Sequence, residues 1–160
     1  MIACVGDGAM QMNGMNELIT VAKYWQDWDD PRLVVLILHN NDLNQVTWEM
    51  RAMGGFPKFE QTQVLPDVNY ASYAELLGLR GIRVEKPDDI GSAWDQALGA
   101  SRPVVIDALC DPEVPPIPPH ATPEQVKKMT QALVKGDPEA WDIVATGTKQ
   151  KVQEFLPGRS

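Results

Sequence analysis

Apolar runs and helical periodicities take turns along the first 110 residues. Ile2–Val5 is apolar and stops at Gly6. From Asn13 the spacing changes. Met15, Leu18, Ile19, Ala22 and Trp25 recur at helical intervals, which predicts an amphipathic helix from Asn13 to about Trp28. Asn13 is placed to cap it, and Pro31 ends the segment. "RLVVLIL", residues 32–38, is then apolar without alternation, as a strand covered on both faces requires. It ends at His39-Asn40-Asn41-Asp42. Residues 54–68 predict a loop by their Gly, Pro and polar content. "NYASYAELLG", residues 69–78, predicts a short helix closed by Gly78. Ile82–Val84 predicts a third strand, and "KPDDIGSAWDQALG" a helix opened by Pro87 and Asp88. "PVVIDAL", from Pro103, predicts a fourth strand. Strand and helix alternate from Ile2 to Leu109. That order predicts an α/β fold, with a parallel sheet flanked by helices.

The pattern changes at "PEVPPIPPHATP", a proline-rich stretch read as a stiff strap. It divides a domain of residues 1–120 from a helical tail of residues 121–160. The tail is expected to form helices over Pro123–Val134 and roughly Pro138–Phe155. Charge follows the same division. The whole chain carries −8, with a pI of about 4.7. The tail has six basic and five acidic residues, so residues 1–120 carry −9. Such an acidic surface argues against nucleic acid as a partner, because neutralising phosphates needs clustered Lys and Arg. The longest apolar run, Leu33–Leu38, is far short of the roughly 20 residues of a membrane span. No secretory-type leader opens the chain. A soluble, cytoplasmic protein without membrane contact is the expectation. The tail is nearly neutral and is expected to pack rather than to bind a membrane. Cys4 and Cys110 belong to no CxxC pair and are expected to be reduced core thiols. The chain opens directly on a strand, so further residues are expected upstream in a longer chain.

The chemistry gathers at two strand ends. Gly6-Asp7-Gly8 follows the first, and Asn40-Asn41 follows the second. In open parallel sheets ligands sit off the carboxyl ends of the strands. If the two strands are neighbours, Asp7 and Asn41 converge. A carboxylate and a carboxamide oxygen are hard ligands that suit Mg²⁺ or Ca²⁺ better than Zn²⁺. Gly6 and Gly8 would let the backbone turn and a bulky anion approach. The N–H groups of Gly8, Ala9 and Met10, at the start of helical sequence, could then meet a phosphate. Either motif alone is ordinary turn chemistry. The two in this order, each ending an apolar run, are much more specific.

"GDGAMQMNGMNELITVAKYW…LVVLILHNND" resembles the thiamine diphosphate signature of Gly-Asp-Gly, about thirty residues, then Asn-Asn. The chain is similar to the C-terminal, diphosphate-binding domain of the pyruvate oxidase and acetolactate synthase superfamily. "EMRAMGG", "GIRVEKPDDI" and "PVVIDALCDPEVPPIPP" resemble most the quinone-linked pyruvate oxidase branch. The resemblance implies that Asp7, the Asn41 amide oxygen and the Leu43 backbone carbonyl ligate Mg²⁺. It implies that Gly6, Gly8, Ala9, Met10 and Asn40 line the diphosphate. Val46–Met50 would lie along the active-site mouth. The implied substrate is a 2-oxo acid such as pyruvate, and FAD is possible in the complete enzyme. The implied assembly is a homo-oligomer, a dimer or tetramer, because in the family the cofactor lies between two chains. The activating glutamate belongs to another domain. Glu17 and Glu49 are not assigned that role, no catalytic residue is placed in this segment, and the isolated chain is expected to be inactive.

Some positions depart from the family pattern. His39 stands where relatives are usually apolar, and is read mainly as a strand-end residue. Val46 replaces an aromatic that relatives place between thiamine and flavin, so acetolactate synthase-like carboligation stays open. So does a stand-alone α/β binding module without catalysis. A receiver-type switch would need an acidic pair near its N-terminus and a later Lys, and has neither. Of the tryptophans, Trp25 and Trp94 are expected in the core, Trp28 over the loop, and Trp48 against ligand or partner. Met10, Met12, Met15, Met50 and Met53 are expected to be mainly packing residues.

Overall fold

Residues 1–114 and 122–145 are described by the computed structural model. Four strands form one sheet: β1 (Ile2–Gly6), β2 (Val34–His39), β3 (Arg80–Val84) and β4 (Val104–Leu109). They run in the order β1-β2-β4-β3, every pair parallel. The apolar runs without alternation, β2 and β4, are the two central strands, as burial on both faces requires. The α/β fold with a parallel, helix-flanked sheet is therefore present.

The chain divides into two compact units. The first comprises Met1–Asn41 and Leu65–Cys110, and holds the whole sheet. Its helices are α1 (Asp7–Ala9) and α2 (Met15–Tyr24), joined by a π-helical stretch (Met10–Gly14), then α5 (Tyr70–Leu76) and α6 (Ile90–Leu98). Strand parity divides its core in two. Val35, Ile37 and Val105 point to one face, where they meet Met10, Leu18 and Tyr70. Val34, Val104 and Ile106 point to the other, where they meet Ala93 and Ala97 of α6. His39 continues the parity of Val35 and Ile37, and Asp107 that of Val105. Two polar residues thus share the face packed by α5.

The second unit comprises Asp42–Val64 and the described residues from Asp111 onward. It contains α3 (Asn44–Glu49), α4 (Glu60–Gln63) and α7 (Pro123–Val134). Thr122 caps α7 through a reciprocal box with Gln125, and Pro123 stands at its first turn. Residues 140–145 are also helical. The proline strap and the rest of the second tail helix lie outside the described residues.

Several expectations are corrected. The first helix begins at Asp7, not Asn13, because the Asp7 carboxylate takes the Gly8 N–H within the first turn. Asn13 lies inside the π-helical stretch and caps nothing. Two glycines and the polar Gln11 and Asn13 hide this turn's periodicity. α3 went unforeseen, and α4 interrupts the expected loop of 54–68. Cys4 and Cys110 are exposed rather than core thiols. Cys4 lies on β1, whose only strand neighbour is β2, and Cys110 lies just past the end of β4. Among the described residues no helix is long and apolar enough to cross a membrane.

Candidate functional site

β1 and β2 are direct neighbours, with Gly6 in register with Leu38. The residues following each strand therefore meet. Asp7 is buried, at 2% exposure. Its Oδ1 accepts from the Gly8 N–H at 2.9 Å. Its Oδ2 accepts from the N–H groups of Asn40 at 3.0 Å and Asn41 at 2.6 Å. Asn41 reaches this position with φ of 55°, in the left-handed region that few non-glycine residues adopt. The backbone after β2 is bent so that two consecutive amides face one carboxylate. Strain of this kind concentrates at functional positions.

The other predicted residues are placed as follows. Gly6 has an ordinary extended backbone, and a Cβ added there would meet no protein atom within 4 Å. Its backbone does not demand glycine. Gly8 is buried beside Asp7 and Ala9 is exposed. Met10 turns its side chain into the core, and its N–H bonds the Asp7 carbonyl. Leu43 falls in the second unit, where its carbonyl accepts the Thr47 N–H at 3.0 Å as α3 begins. Glu17 and Glu49 are exposed, and Glu49 accepts from Gln45 at 3.2 Å. Trp48 is no surface for a ligand. It is 2% exposed and donates its indole N–H to the Pro112 carbonyl at 3.3 Å within the second unit.

Asp7 has capacity left. An ionised carboxylate offers about four lone-pair sites, and three N–H groups fill three of them. A carboxylate with an adjacent carboxamide suits a hard cation. Among the described residues no group of three or more His, Cys, Asp or Glu is gathered to hold a metal. A cation here would complete its shell from backbone oxygen, water and phosphate, as Mg²⁺ commonly does. The donor set fits Mg²⁺ bound to a diphosphate.

A second polar group lies on the same face of the sheet. His39 is 1% exposed, and Tyr70 and Asp107 are fully buried. His39 Nδ1 lies 2.7 Å from Asp107 Oδ1, and Nε2 lies 2.7 Å from Asn41 Oδ1. Asp107 Oδ2 accepts from the Tyr70 N–H at 3.2 Å and from Arg83 Nη1 at 2.9 Å. The Tyr70 hydroxyl accepts from Gln11 Nε2 at 2.9 Å. Burial pushes that hydroxyl above its ordinary pKa, and the charges of Asp7, Asp107 and Asp67 push the same way. Sequence reasoning passed over Asp107. The available signal was one carboxylate inside "VVIDAL", where a central strand should be wholly apolar.

Comparison with known proteins identifies the family and the fold. The thiamine pyrophosphate enzyme family, through its C-terminal TPP-binding domain, matches residues 1–108. YdaP of Bacillus subtilis (strain 168), named as a thiamine pyrophosphate-containing protein, is 33% identical over 134 residues. That match spans 84% of this chain and 22% of YdaP. The acetolactate synthase of the same organism is 33% identical over 70 residues, or 42% of this chain and 12% of that protein. Among solved structures, the 4-hydroxybenzoylformate decarboxylase of Rhodococcus jostii RHA1 matches with a TM-score of 0.58 at 24% identity. It covers 69% of this chain and 19% of that one. The benzoylformate decarboxylase of Polynucleobacter necessarius matches with a TM-score of 0.62 at 17% identity, over 72% of this chain and 20% of that one. These two structures establish likeness of fold. The chain thus spans about a fifth or less of the relatives it matches. With the family match running from β1 through most of β4, the chain belongs to the thiamine pyrophosphate enzymes, as their C-terminal TPP-binding domain.

Proposed function

We propose that this domain anchors thiamine diphosphate through Mg²⁺ in an enzyme that decarboxylates a 2-oxo acid such as pyruvate, in the manner of a pyruvate oxidase. The observation that carries the reading is the Asp7 carboxylate gripping the amides of Asn40 and Asn41 across two neighbouring strand ends. Asp7 and the Asn41 amide oxygen would hold the cation. The Ala9 N–H, opening a helical run that continues to Tyr24, would face the diphosphate, with Gly8 and Asn40 lining it. Thiamine diphosphate, when bound, supplies the carbanion that adds to the keto group and the cationic ring that takes up electrons as CO₂ leaves. The residues of this domain bind and orient. They transfer no proton themselves, and catalysis requires groups from outside this segment. The complete enzyme would be a homo-oligomer, with FAD as a possible second cofactor.

The 33% identity to an acetolactate synthase favours one second reading, a carboligase that adds the decarboxylated unit to another carbonyl. One set of assays tests both on the complete native chain. Thiamine diphosphate binding should depend on Mg²⁺ and vanish with EDTA. Removing an outer partner of a metal ligand typically costs 10–100-fold in affinity, so Asp7→Ala, which removes a ligand, should weaken binding by more than about 100-fold. Unchanged binding by a folded Asp7→Ala protein rejects the anchor. Pyruvate-dependent reduction of a quinone or flavin acceptor supports the oxidase reading, and acetolactate formation without an acceptor supports the carboligase.

A further inference from the structure

We propose that Tyr70 is a positioning residue for this site: its buried hydroxyl, aimed by Gln11, holds the backbone carbonyl of Asp7 and so fixes the turn that presents the Asp7 carboxylate. The inference rests on the reading of Asp7 as a ligand given above. It begins with the turn itself. Asp7 opens a single turn of α-helix, and the chain then runs π-helical from Met10 to Gly14. Such stretches are rare and frequent at functional sites. Gly8 and Gly14 fall at its two ends, so local preference does little to stiffen it. Support comes from α5, which presents Tyr70 and Tyr73 three positions apart on one face. The Tyr73 hydroxyl donates to the Met15 carbonyl at 3.2 Å, just past the far end of the stretch. Tyr70 serves the near end.

The neighbours of the Tyr70 hydroxyl settle its direction. Gln11 Nε2 lies 3.0 Å from the Pro66 carbonyl oxygen and 2.9 Å from the Tyr70 hydroxyl. A carbonyl only accepts, so the amino end of the Gln11 carboxamide must face Pro66. That end carries two hydrogens and no acceptor. One hydrogen goes to Pro66 and the other to Tyr70. The hydroxyl therefore accepts from Gln11 and has to place its own hydrogen elsewhere. Tyr70 is fully buried, so bulk water does not take it. Among the described residues the acceptor in reach is the Asp7 carbonyl, at 3.4 Å. The same carbonyl accepts the Met10 N–H. Asp7 is thus held at both ends, by Gly8, Asn40 and Asn41 on its carboxylate and by Met10 and Tyr70 on its carbonyl. A 3.4 Å contact is long for O–H···O. The expected effect is therefore at the low end for an outer partner of a metal ligand. What it fixes is direction, and cations differ in how much direction they require. Mg²⁺ takes a near-ideal octahedron at about 2.0–2.1 Å, whereas Ca²⁺ accepts a flexible shell at about 2.3–2.6 Å. A loosened Asp7 should cost Mg²⁺ more than Ca²⁺.

Tyr70→Phe deletes the hydroxyl and keeps the ring that packs edge-on against His39. On the complete native chain it should weaken Mg²⁺-dependent thiamine diphosphate binding about 10-fold. With Ca²⁺ in place of Mg²⁺ the loss should be less than about 3-fold, because the Ca²⁺ shell adapts. The ratio of the two affinities is the readout, since a general loss of stability lowers both together. Gln11→Met keeps the hydroxyl and removes the group that aims it, and the ratio should fall in the same direction by less. Tyr73→Phe is the control for packing. It loses a hydroxyl from the same helix, and should lower the urea midpoint while leaving the ratio at the unsubstituted value. A Tyr70→Phe protein that loses affinity equally with both cations, or loses none, overturns the inference. If Tyr70→Phe does not fold, an unchanged ratio in Gln11→Met overturns it instead. A ratio that falls as far in Tyr73→Phe as in Tyr70→Phe overturns it too. Asp7→Ala distinguishes these results from failure of the anchor. If Asp7→Ala abolishes binding and Tyr70→Phe leaves the ratio unchanged, the positioning role alone is rejected. If Asp7→Ala binds normally, the anchor is rejected with it.

Discussion

Two arginines hold aspartates with the same fork in different surroundings. In the first unit, Arg32 Nε and Nη2 donate to Asp30 Oδ1 and Oδ2, each at 2.8 Å. These side chains are 62% and 53% exposed. In the second unit, Arg51 Nε and Nη2 donate to Asp137 Oδ2 and Oδ1, again at 2.8 Å, and both side chains are fully buried. The buried fork belongs to a network. Arg51 Nη2 also reaches Glu139 at 2.8 Å, the Lys58 N–H donates to Asp137 at 2.9 Å, and Lys58 Nζ pairs with Asp42 and Glu139. The guanidinium lies over the Trp48 ring at 5.0 Å. Equal geometry has unequal consequences. In water, a lost partner is replaced by solvent; inside the protein, it leaves an uncompensated charge. The units accordingly use charge differently. The first is held by apolar strands packed on both faces, so the Arg32 pair can be lost cheaply. Among its described residues the second buries few apolar side chains, Trp48, Ala52 and Ala132, and its charges tie together residues 86 positions apart.

The largest effect should follow from removing the buried arginine. Arg51→Met leaves Asp137 without its main partner and Glu139 without one of two. Breaking a buried pair in this way typically costs about 3–5 kcal/mol, read as a fall in the urea midpoint. The double variant Arg51→Met/Asp137→Leu removes both charges and should recover part of the loss. A single-variant cost below about 1 kcal/mol would mean that water reaches the network freely, and would erase the contrast between the two forks.

The first unit should fail through packing instead. Gly81 lies on β3 beneath α5. A Cβ built there would stand 2.0 Å from the Ala71 carbonyl oxygen, which is backbone and cannot swing away. Gly81→Ala must push helix and strand apart, and overpacking of this kind costs about 1–3 kcal/mol. The same urea titration reads it. A stability equal to that of the unsubstituted protein would show that α5 yields without loss, and that the sheet is less tightly covered than its sequence pattern implies.

That pattern explains what could be read in advance. The strands were legible because β2 and most of β4 are apolar runs without alternation, β2 ending at Asn40-Asn41 and β4 opening after Pro103, and because the ends of β1 and β2 carried a motif. The Asp7–Asn41 convergence was legible because it needs only two neighbouring parallel strands. The first turn of the first helix was not, since a π-helical stretch rich in Gly and polar residues shows no 3.6-residue period. The Asp107–His39 pair depends on strand order: β4 lies beside β2, and sequence order alone does not dictate this. The ion network of the second unit was illegible for the same reason. Arg51, Lys58, Asp137 and Glu139 read singly as surface charges until the tertiary fold collects them.

Acid sharpens the contrast between the forks. Burial alone would raise the Asp137 and Glu139 carboxyls. Hydrogen bonds and charge from Arg51 and Lys58 outweigh it and hold both below their ordinary values of 3.8 and 4.5. A carboxyl depressed by folding contributes stability that is complete above its ordinary value and is lost as the pH falls through its folded one. Between pH 7 and about 5.5 the network should therefore contribute evenly. Below about 4.5 its contribution should decline, and the difference in urea midpoint between the unsubstituted protein and the Arg51→Met/Asp137→Leu variant should narrow. A difference that stays constant down to pH 3 would show that these carboxyls are not the groups the arginine stabilises.

The smallest effect belongs to the exposed fork, and it is the control on which the comparison depends. Asp30 is held to about 2, first by the Arg32 side-chain hydrogen bond and then by the Arg32 backbone N–H. The sign is that of Asp137: any contribution would be present above 3.8 and lost as the pH falls toward 2. The shift nevertheless has little to act on, because both side chains are largely in water, where salt screens the pair and solvent replaces either partner. Asp30→Asn should therefore leave the urea midpoint at pH 7 and physiological ionic strength within experimental error of the unsubstituted protein, and a fourfold change in salt should not separate the two. A loss approaching that of Arg51→Met would make the fork geometry, rather than its burial, the source of stability, and the second unit would no longer need its low-dielectric surroundings to explain why its charges matter.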